Sequence, residues 1–281
     1  MKLHEAEVDI DAELVRALVD GRCEGEIREV CTTGTVNAIY RVGEGHYVRL
    51  PRVDDRDLHK EWEWLPWLAP RLPVRVPVPV HLGEPAHDYP FHWAIYEWIE
   101  GEPFHDRVDE ARAARVLAAF VTALRALPQD DAPATGRAPL AELDLITRDA
   151  ISDPAVLAAW EQALTAPEWD GEPTWIHCDL LRPNVLVEQG EIAAVIDFGA
   201  VGVGDPATDL TAAWAIFGPA GRAAFRDALD VDDGTWARGR GIALHQAAMI
   251  IPYYAQSNPE FARLAERTVA EVLTDCRNAA R

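Results

Sequence analysis

Two carboxylates and one amide stand at spacings that suit the handling of a phosphate. Asp179 and Asn184 are five residues apart in the stretch Trp175-Ile176-His177-Cys178-Asp179-Leu180-Leu181-Arg182-Pro183-Asn184-Val185-Leu186-Val187. Thirteen residues after Asn184 comes Asp197, in Val195-Ile196-Asp197-Phe198-Gly199, and a short hairpin turns the chain back between them. A carboxylate such as Asp179 orients an attacking hydroxyl and accepts its proton. An amide oxygen at Asn184 and a carboxylate at Asp197 are hard oxygen ligands that suit Mg²⁺. Together they meet the needs of phosphoryl transfer, which depends on in-line positioning and on neutralised phosphate charge.

The spacing of Asp179 and Asn184 alone is a weak signal, because Asp and Asn also make ordinary turns. Its order and context favour the chemical reading: an apolar approach, the D-x-x-x-x-N loop, an apolar hairpin, then Asp-Phe-Gly. His177 reads as a support for the loop, and Cys178 as a small buried hydrophobe whose anionic neighbours raise its pKa. A zinc hydrolase built on His177 and Asp179 lacks any zinc-ligand spacing.

These residues need elements to hold them. Asp11 to Val19 reads as a helix, with Ile10, Leu14 and Leu18 on one face. Strands are predicted at 27–31, 37–42 and 47–50, the last two joined by Gly43-Glu44-Gly45. A helix over 54–69 follows, then a Pro-rich run from Pro70 to Pro79 leading to an extended edge, then an aromatic and β-branched strand from His92 to Ile99. After Gly101 the pattern turns helical: Val108 to Leu127, further helices up to about Leu164, and again from Leu210 onward, with brief strands at 185–187 and 193–196. The expected fold class is α+β and bilobal, with a small β-rich N-lobe (1–98), a larger mostly helical C-lobe (99–281) and a hinge near Trp98 to Gly101.

The motif-bearing stretch resembles the aminoglycoside phosphotransferases, which share a protein-kinase-like fold with choline kinases and macrolide phosphotransferases. The likeness covers nearly the whole chain. It includes Gly204-Asp205-Pro206-Ala207-Thr208-Asp209-Leu210 and the early run Gly34-Thr35-Val36-Asn37-Ala38-Ile39-Tyr40-Arg41-Val42, ahead of Val48-Arg49-Leu50-Pro51-Arg52. The resemblance implies that Asp179 is the catalytic base, that Asn184 and Asp197 hold Mg²⁺, and that ATP or GTP is the cosubstrate. It also implies that the turn carrying Thr33, Gly34 and Thr35 covers the triphosphate, and that backbone groups of Glu97 to Ile99 meet the base.

The resembled fold expects a lysine on the next strand, where this sequence has Arg49. Its expected partner is Glu61, which shares the apolar face of its helix and therefore needs a cation, the competing reading being a surface pair with Arg56 or Lys60. Asp209 precedes an apolar helix and reads as its cap, while the resemblance implies that its motif braces the catalytic loop. The acceptor is expected against the helical lobe. Asp144, Asp149, Asp153, Glu161, Glu260 and Glu266 offer an acidic lining, and Tyr253, Tyr254 and Phe261 an apolar wall.

The net charge is −21, from 47 acids and 26 bases. That argues against a nucleic-acid partner and equally against an anionic membrane surface. It is compatible with a cationic small-molecule acceptor and equally with a protein kept soluble by its acids. The four cysteines form no C-x-x-C pair, the first residues lack a signal-peptide core, and the expected location is cytoplasmic. The first functional reading is a Mg²⁺-dependent O-phosphotransferase acting on an antibiotic hydroxyl (aminoglycoside, macrolide or nucleoside type) and conferring resistance. A metabolic kinase of a sugar or amino alcohol is the second. A catalytically silent nucleotide-binding regulator, motivated by Arg49 alone, is the third.

Overall fold

The computed structural model describes residues 8–30, 36–54 and 57–279. The chain forms two compact units, Met1–Gly101 with Ala194–Gly199, and Glu102–Ala193 with Ala200–Arg281. The segment carrying Asp197 thus packs with the N-terminal unit.

In the first unit, helix α1 (Ala12–Val19) begins at Asp11, whose carboxylate accepts from the N–H groups of Glu13 and Leu14 at 3.0 and 2.8 Å. This is the usual repair for amides that a first turn leaves unpaired. Strands β1 (Ile27–Glu29), β2 (Asn37–Val42) and β3 (His46–Pro51) precede helix α2 (Asp57–Leu68), and β4 (Pro79–Gly83) and β5 (Trp93–Glu97) follow it. Among the described residues these strands make one antiparallel sheet in the order β1-β2-β3-β5-β4. The loop predicted at Gly43-Glu44-Gly45 joins β2 to β3, in register from Asn37↔Pro51 to Val42↔His46. Alternation along β2 sends Ala38, Tyr40 and Val42 into a core shared with Val15, Leu18, Val48, Leu50 and Trp93. Val195 N–H donates to the Arg75 carbonyl at 3.0 Å, which ties the start of the Asp197 segment into this unit.

The second unit opens with β6 (Glu102–Pro103), α3 (Glu110–Arg125), α4 (Asp144–Ala150) and α5 (Pro154–Ala163). Next come β7 (Thr174–Ile176), β8 (Val185–Glu188), β9 (Glu191–Val195) and β10 (Gly202–Gly204). Helices α6 (Ala212–Ala215), α7 (Pro219–Leu229), α8 (Asp233–Tyr254) and α9 (Pro259–Ala279) complete it. The β8–β9 turn is Gln189-Gly190 with φ of 52° and 84°, a conformation that favours glycine at its second position. Helix α3 packs on α7 and α8 on α9, around fully buried Phe120, Trp160, Trp175, Trp214 and Phe217. This is the expected α+β kinase-like arrangement, an antiparallel sheet followed by a mostly helical region. Among the described residues no helix is long and apolar enough to cross a membrane.

Several boundaries differ from the sequence reading. The helix expected from Val108 starts at Glu110, because Asp109 takes the cap position and accepts from Arg112 N–H at 3.1 Å. Strands β7 and β10 pair with each other, Gly202 opposite Ile176. Each is only three residues long, too short to show a period of its own.

Candidate active site

In the first unit, Arg49 on β3 is buried beside Glu61 on α2. Its Nη1 donates to Glu61 Oε1 at 2.8 Å. The other Glu61 oxygen accepts from the Tyr96 hydroxyl at 2.5 Å. Burial pushes the Glu61 carboxyl up and Arg49 pulls it the other way. Burial and then Glu61 hold the Tyr96 phenol well above its ordinary range, so it stays a donor. Lys60 pairs with Asp57 at 3.4 Å, so Glu61 has the inward partner and not a surface one, while Arg56 lies outside the described residues.

Asp197 Oδ1 sits 3.8 Å from Arg49 Nη1, with its side chain about half exposed. With the Asn37 amide turned oxygen-inward, its Oδ1 accepts from Arg49 Nε and Nη2 at 3.1 and 3.2 Å. The guanidinium is thus fixed between β2, α2 and the Asp197 segment. A lysine at this position presents a single nitrogen in place of the planar fork. Arg49→Lys is expected to keep the charge facing Glu61 but to give up both bonds to Asn37. The expected loss is about 1–3 kcal/mol of stability, read by chemical denaturation. A loss no larger than for a surface Arg→Lys control would show that the Asn37 contacts contribute nothing.

Glu97 and Ile99 lie at the end of β5 and just beyond it. Glu97 N–H donates to the Val78 carbonyl at 3.0 Å and Trp98 N–H to the Gly45 carbonyl at 2.8 Å, so both amides are committed within the unit. Tyr47 stacks on Tyr96 with ring centres 5.0 Å apart. Thr33, Gly34 and Thr35 lie outside the described residues.

In the second unit, Asp179 follows β7 and is held from several sides. Its Oδ2 accepts from Asn184 Nδ2 at 2.7 Å and its Oδ1 from Gln246 Nε2 at 3.0 Å. Asn184 Nδ2 also reaches the Asp179 carbonyl at 2.9 Å, closing the D-x-x-x-x-N loop on itself. A 3₁₀ turn, Arg182–Asn184, sets that spacing. His177 is fully buried, and its Nδ1 accepts from the Asp179 N–H at 3.2 Å. It thus supports the loop, holding an amide of it.

The bend before Asp179 is strained. Cys178 has φ of 73°, which non-glycine residues seldom adopt. Buried Asp209 stabilises it: its carboxylate accepts from His177 N–H at 3.0 and 2.9 Å and from Cys178 N–H at 2.9 Å. Asp209 does not cap the helix after it, since α6 has no side-chain cap; Asp205 caps the 3₁₀ turn Pro206–Thr211, in which Asp209 lies, accepting from Ala207 N–H at 2.9 Å, and pairs with Arg238 at 2.8 Å. Asp197 likewise has φ of 65°, so left-handed backbone occurs next to one candidate carboxylate and at the other.

Burial and then the Asp209 carboxylate push the Cys178 thiol up to about 12. At pH 8 its thiolate fraction is then about three orders of magnitude below that of an ordinary thiol. Native protein treated with iodoacetamide and digested is expected to show Cys178 unmodified, with labelling appearing on denaturation. Labelling as fast as in the unfolded chain would contradict this burial.

Of the acids expected along the acceptor side, Asp144, Glu161 and Asp153 have protein partners, and Asp149, Glu260 and Glu266 are exposed. Asp144 Oδ1 accepts from Arg148 Nε at 2.7 Å and from the Trp160 indole at 2.8 Å. Glu161 pairs with Arg148 at 3.0 Å, and Asp153 caps α5 through the Ala155 N–H. Tyr253 meets Tyr254 and Tyr254 meets Phe261 edge to face, with ring centres 4.7 and 5.1 Å apart. Gln246 carried no motif, and only its contact with Asp179 marks it.

The fold is kinase-like. The chain matches the model of the phosphotransferase enzyme family over residues 29–242 and belongs to that family. Among solved structures it is similar to aminoglycoside 2'-phosphotransferase-IIIa in its GDP complex, at 18% identity and TM-score 0.72, covering 94% of this chain and 97% of that one. The macrolide 2'-phosphotransferase of Brachybacterium faecium is 25% identical with a TM-score of 0.58, covering 88% and 91%. A type I macrolide 2'-phosphotransferase is 20% identical with a TM-score of 0.67, covering 94% and 98%. No curated protein matches the sequence.

Proposed function

We propose that this phosphotransferase moves the γ-phosphoryl group of ATP or GTP to a hydroxyl of a small molecule, an antibiotic in the first instance. The observation that carries the reading is the Asp179 carboxylate, oriented by Asn184 and Gln246 on a loop pinned by Asp209. A carboxylate fixed in this way accepts the hydroxyl proton and aligns the oxygen for attack.

Asn184 and Asp197 are the proposed ligands of Mg²⁺. Nδ2 of Asn184 is committed to Asp179, which turns its amide oxygen away from that carboxylate, and oxygen is the donor type Mg²⁺ prefers. Among the described residues no cluster of three or more His, Cys, Asp or Glu is arranged for a metal. When bound, such an ion neutralises charge on the phosphate oxygens. Arg49, fixed by Glu61 and Asn37, is the proposed phosphate contact, with the turn of Thr33, Gly34 and Thr35. The Glu97 carbonyl and the Ile99 backbone are proposed for the base. The intact Arg49–Glu61 pair supports an active enzyme over a silent regulator, since arginine here keeps the charge of the usual lysine.

The test is to incubate the protein with Mg²⁺, ATP or GTP, and a panel of aminoglycosides, macrolides, nucleoside antibiotics, sugars and amino alcohols. Mass spectrometry is expected to find an antibiotic carrying one added phosphoryl group. A metabolite phosphorylated in place of every antibiotic would keep the chemistry and overturn the substrate reading.

A further inference from the structure

One turn of α8 reaches Asp179 through a side chain with two unlike ends. Along this helix Ala243, Leu244, Ala247 and Ala248 are buried, while His245, Gln246, Met249 and Ile250 are only partly covered. Spacings of three and four residues put the last four on one open stripe. From it Gln246 donates through Nε2 to Asp179 Oδ1 at 3.0 Å, wholly within the second unit. The neighbouring His245 fixes this turn against α4. Its Nδ1 is 2.7 Å from Thr147 Oγ1, and that hydroxyl gives its one hydrogen to the Leu143 carbonyl at 2.7 Å, so Nδ1 is the donor.

The contact with Asp179 decides how the Gln246 amide lies. An ionised carboxylate only accepts, so the NH₂ group turns to it and Oε1 turns away. Oε1 has no hydrogen-bond partner among the described residues, and it is not closed off from solvent. One carbon carries both Nε2 and Oε1, so this acceptor oxygen stands beside the carboxylate. A carboxylate has about four lone-pair sites, and Asn184 and Gln246 take one each. A hydroxyl donating to Asp179 therefore has the Gln246 amide next to it.

We propose that Gln246 is a positioning and specificity-determining residue of the transfer. Its Nε2 holds the Asp179 carboxylate in line, and its Oε1 accepts from a second donor on the acceptor, a hydroxyl or an amine close to the reacting hydroxyl. The inference rests on the phosphoryl-transfer reading and adds to it a determinant of which hydroxyl is taken. An isolated hydroxyl leaves Oε1 to water. A hydroxyl flanked by a donor pairs both ends of the amide at once, which fixes its oxygen relative to the base.

The experiment measures kcat and both KM values with Mg²⁺, nucleotide and kanamycin, erythromycin or the other compounds of the panel. Wild type is assayed beside Gln246→Met, which keeps the side chain's length and removes the amide, and Gln246→Glu, which keeps an acceptor oxygen and removes the NH₂; melting temperatures report folding. Gln246→Met is expected to lower kcat about 10-fold or more, as a displaced base does. It is also expected to raise the acceptor KM about 3–10-fold, the loss of one hydrogen bond, with the nucleotide KM unchanged. Gln246→Glu is expected to lower kcat with a smaller rise in the acceptor KM. A folded Gln246→Met with kcat and acceptor KM within two-fold of wild type would overturn the inference and leave the phosphotransfer reading standing. So would a nucleotide KM that rises as much as the acceptor's, the mark of a merely structural role, or an acceptor KM that rises equally in both variants. No phosphorylated product from wild type with any compound would overturn the reading itself, and the inference with it.

Discussion

Asp179→Ala folds, binds nucleotide and loses phosphoryl transfer by about 10²–10⁴-fold in kcat, the usual contribution of a positioned general base. The loss falls on kcat because the carboxylate acts on the hydroxyl proton as the bond to phosphorus forms. Asp179→Asn is expected to behave similarly while keeping the side chain's shape. One amide oxygen cannot replace two carboxylate oxygens that accept separately from Asn184 and Gln246, so one of those donors then faces an NH₂ group. Steady-state kinetics with the accepted substrate, alongside thermal melting, check both variants. A folded Asp179→Ala turning over within a few-fold of wild type would remove Asp179 from the chemistry.

Asp209→Ala strikes stability and activity together. Its carboxylate satisfies the buried amides of His177 and Cys178, and Cys178 is in the left-handed region. Each buried N–H left without a partner costs about 1–3 kcal/mol, so two give about 2–6 kcal/mol. For a chain of this size that corresponds to a fall in melting temperature on the order of 10 °C. With the carboxylate gone, the bend at Cys178 has lost what holds it and tends to relax. Asp179 then leaves its register with Asn184, and kcat falls even where the protein stays folded. Asp209→Asn retains one acceptor oxygen and is expected to lie between. Calorimetry and kinetics on the two variants decide this. A melting temperature within about 1 °C of wild type for Asp209→Ala would show that the bend stands without Asp209.

The chemistry-bearing residues were legible because their spacing is local. Asp179 and Asn184 are brought together by one short 3₁₀ turn, so five residues of sequence contain the whole geometry. Glu61 was legible for another reason: a carboxylate on an apolar helix face demands a cation, and β3 supplies Arg49. What distant segments contribute was not legible. Gln246 reaches Asp179 across 67 residues of chain, and nothing about a glutamine in a helix announces that contact. For Asp209 the local sequence suggested only a helix cap and the brace was expected from the resemblance alone, since the two buried amides it accepts from lie 31 and 32 residues earlier. Which acids of the acceptor side stand open was not legible for the same reason: composition counts charges, while the fold ties Asp144 and Glu161 to Arg148 and leaves Asp149, Glu260 and Glu266 exposed. The sheet was recognisable from alternation and from the Gly43-Glu44-Gly45 loop. Strands β7 and β10 were not, since three residues cannot show alternation.

The central claim is transfer of a γ-phosphoryl group to a small-molecule hydroxyl. It is tested most directly with nucleotide labelled in that group, Mg²⁺ and each acceptor, following label into acceptor and into free phosphate separately. The account predicts label in an antibiotic, lost on chelation of the metal and lost in Asp179→Ala. Label that appears only as free phosphate, or transfer that persists undiminished in Asp179→Ala, would contradict it.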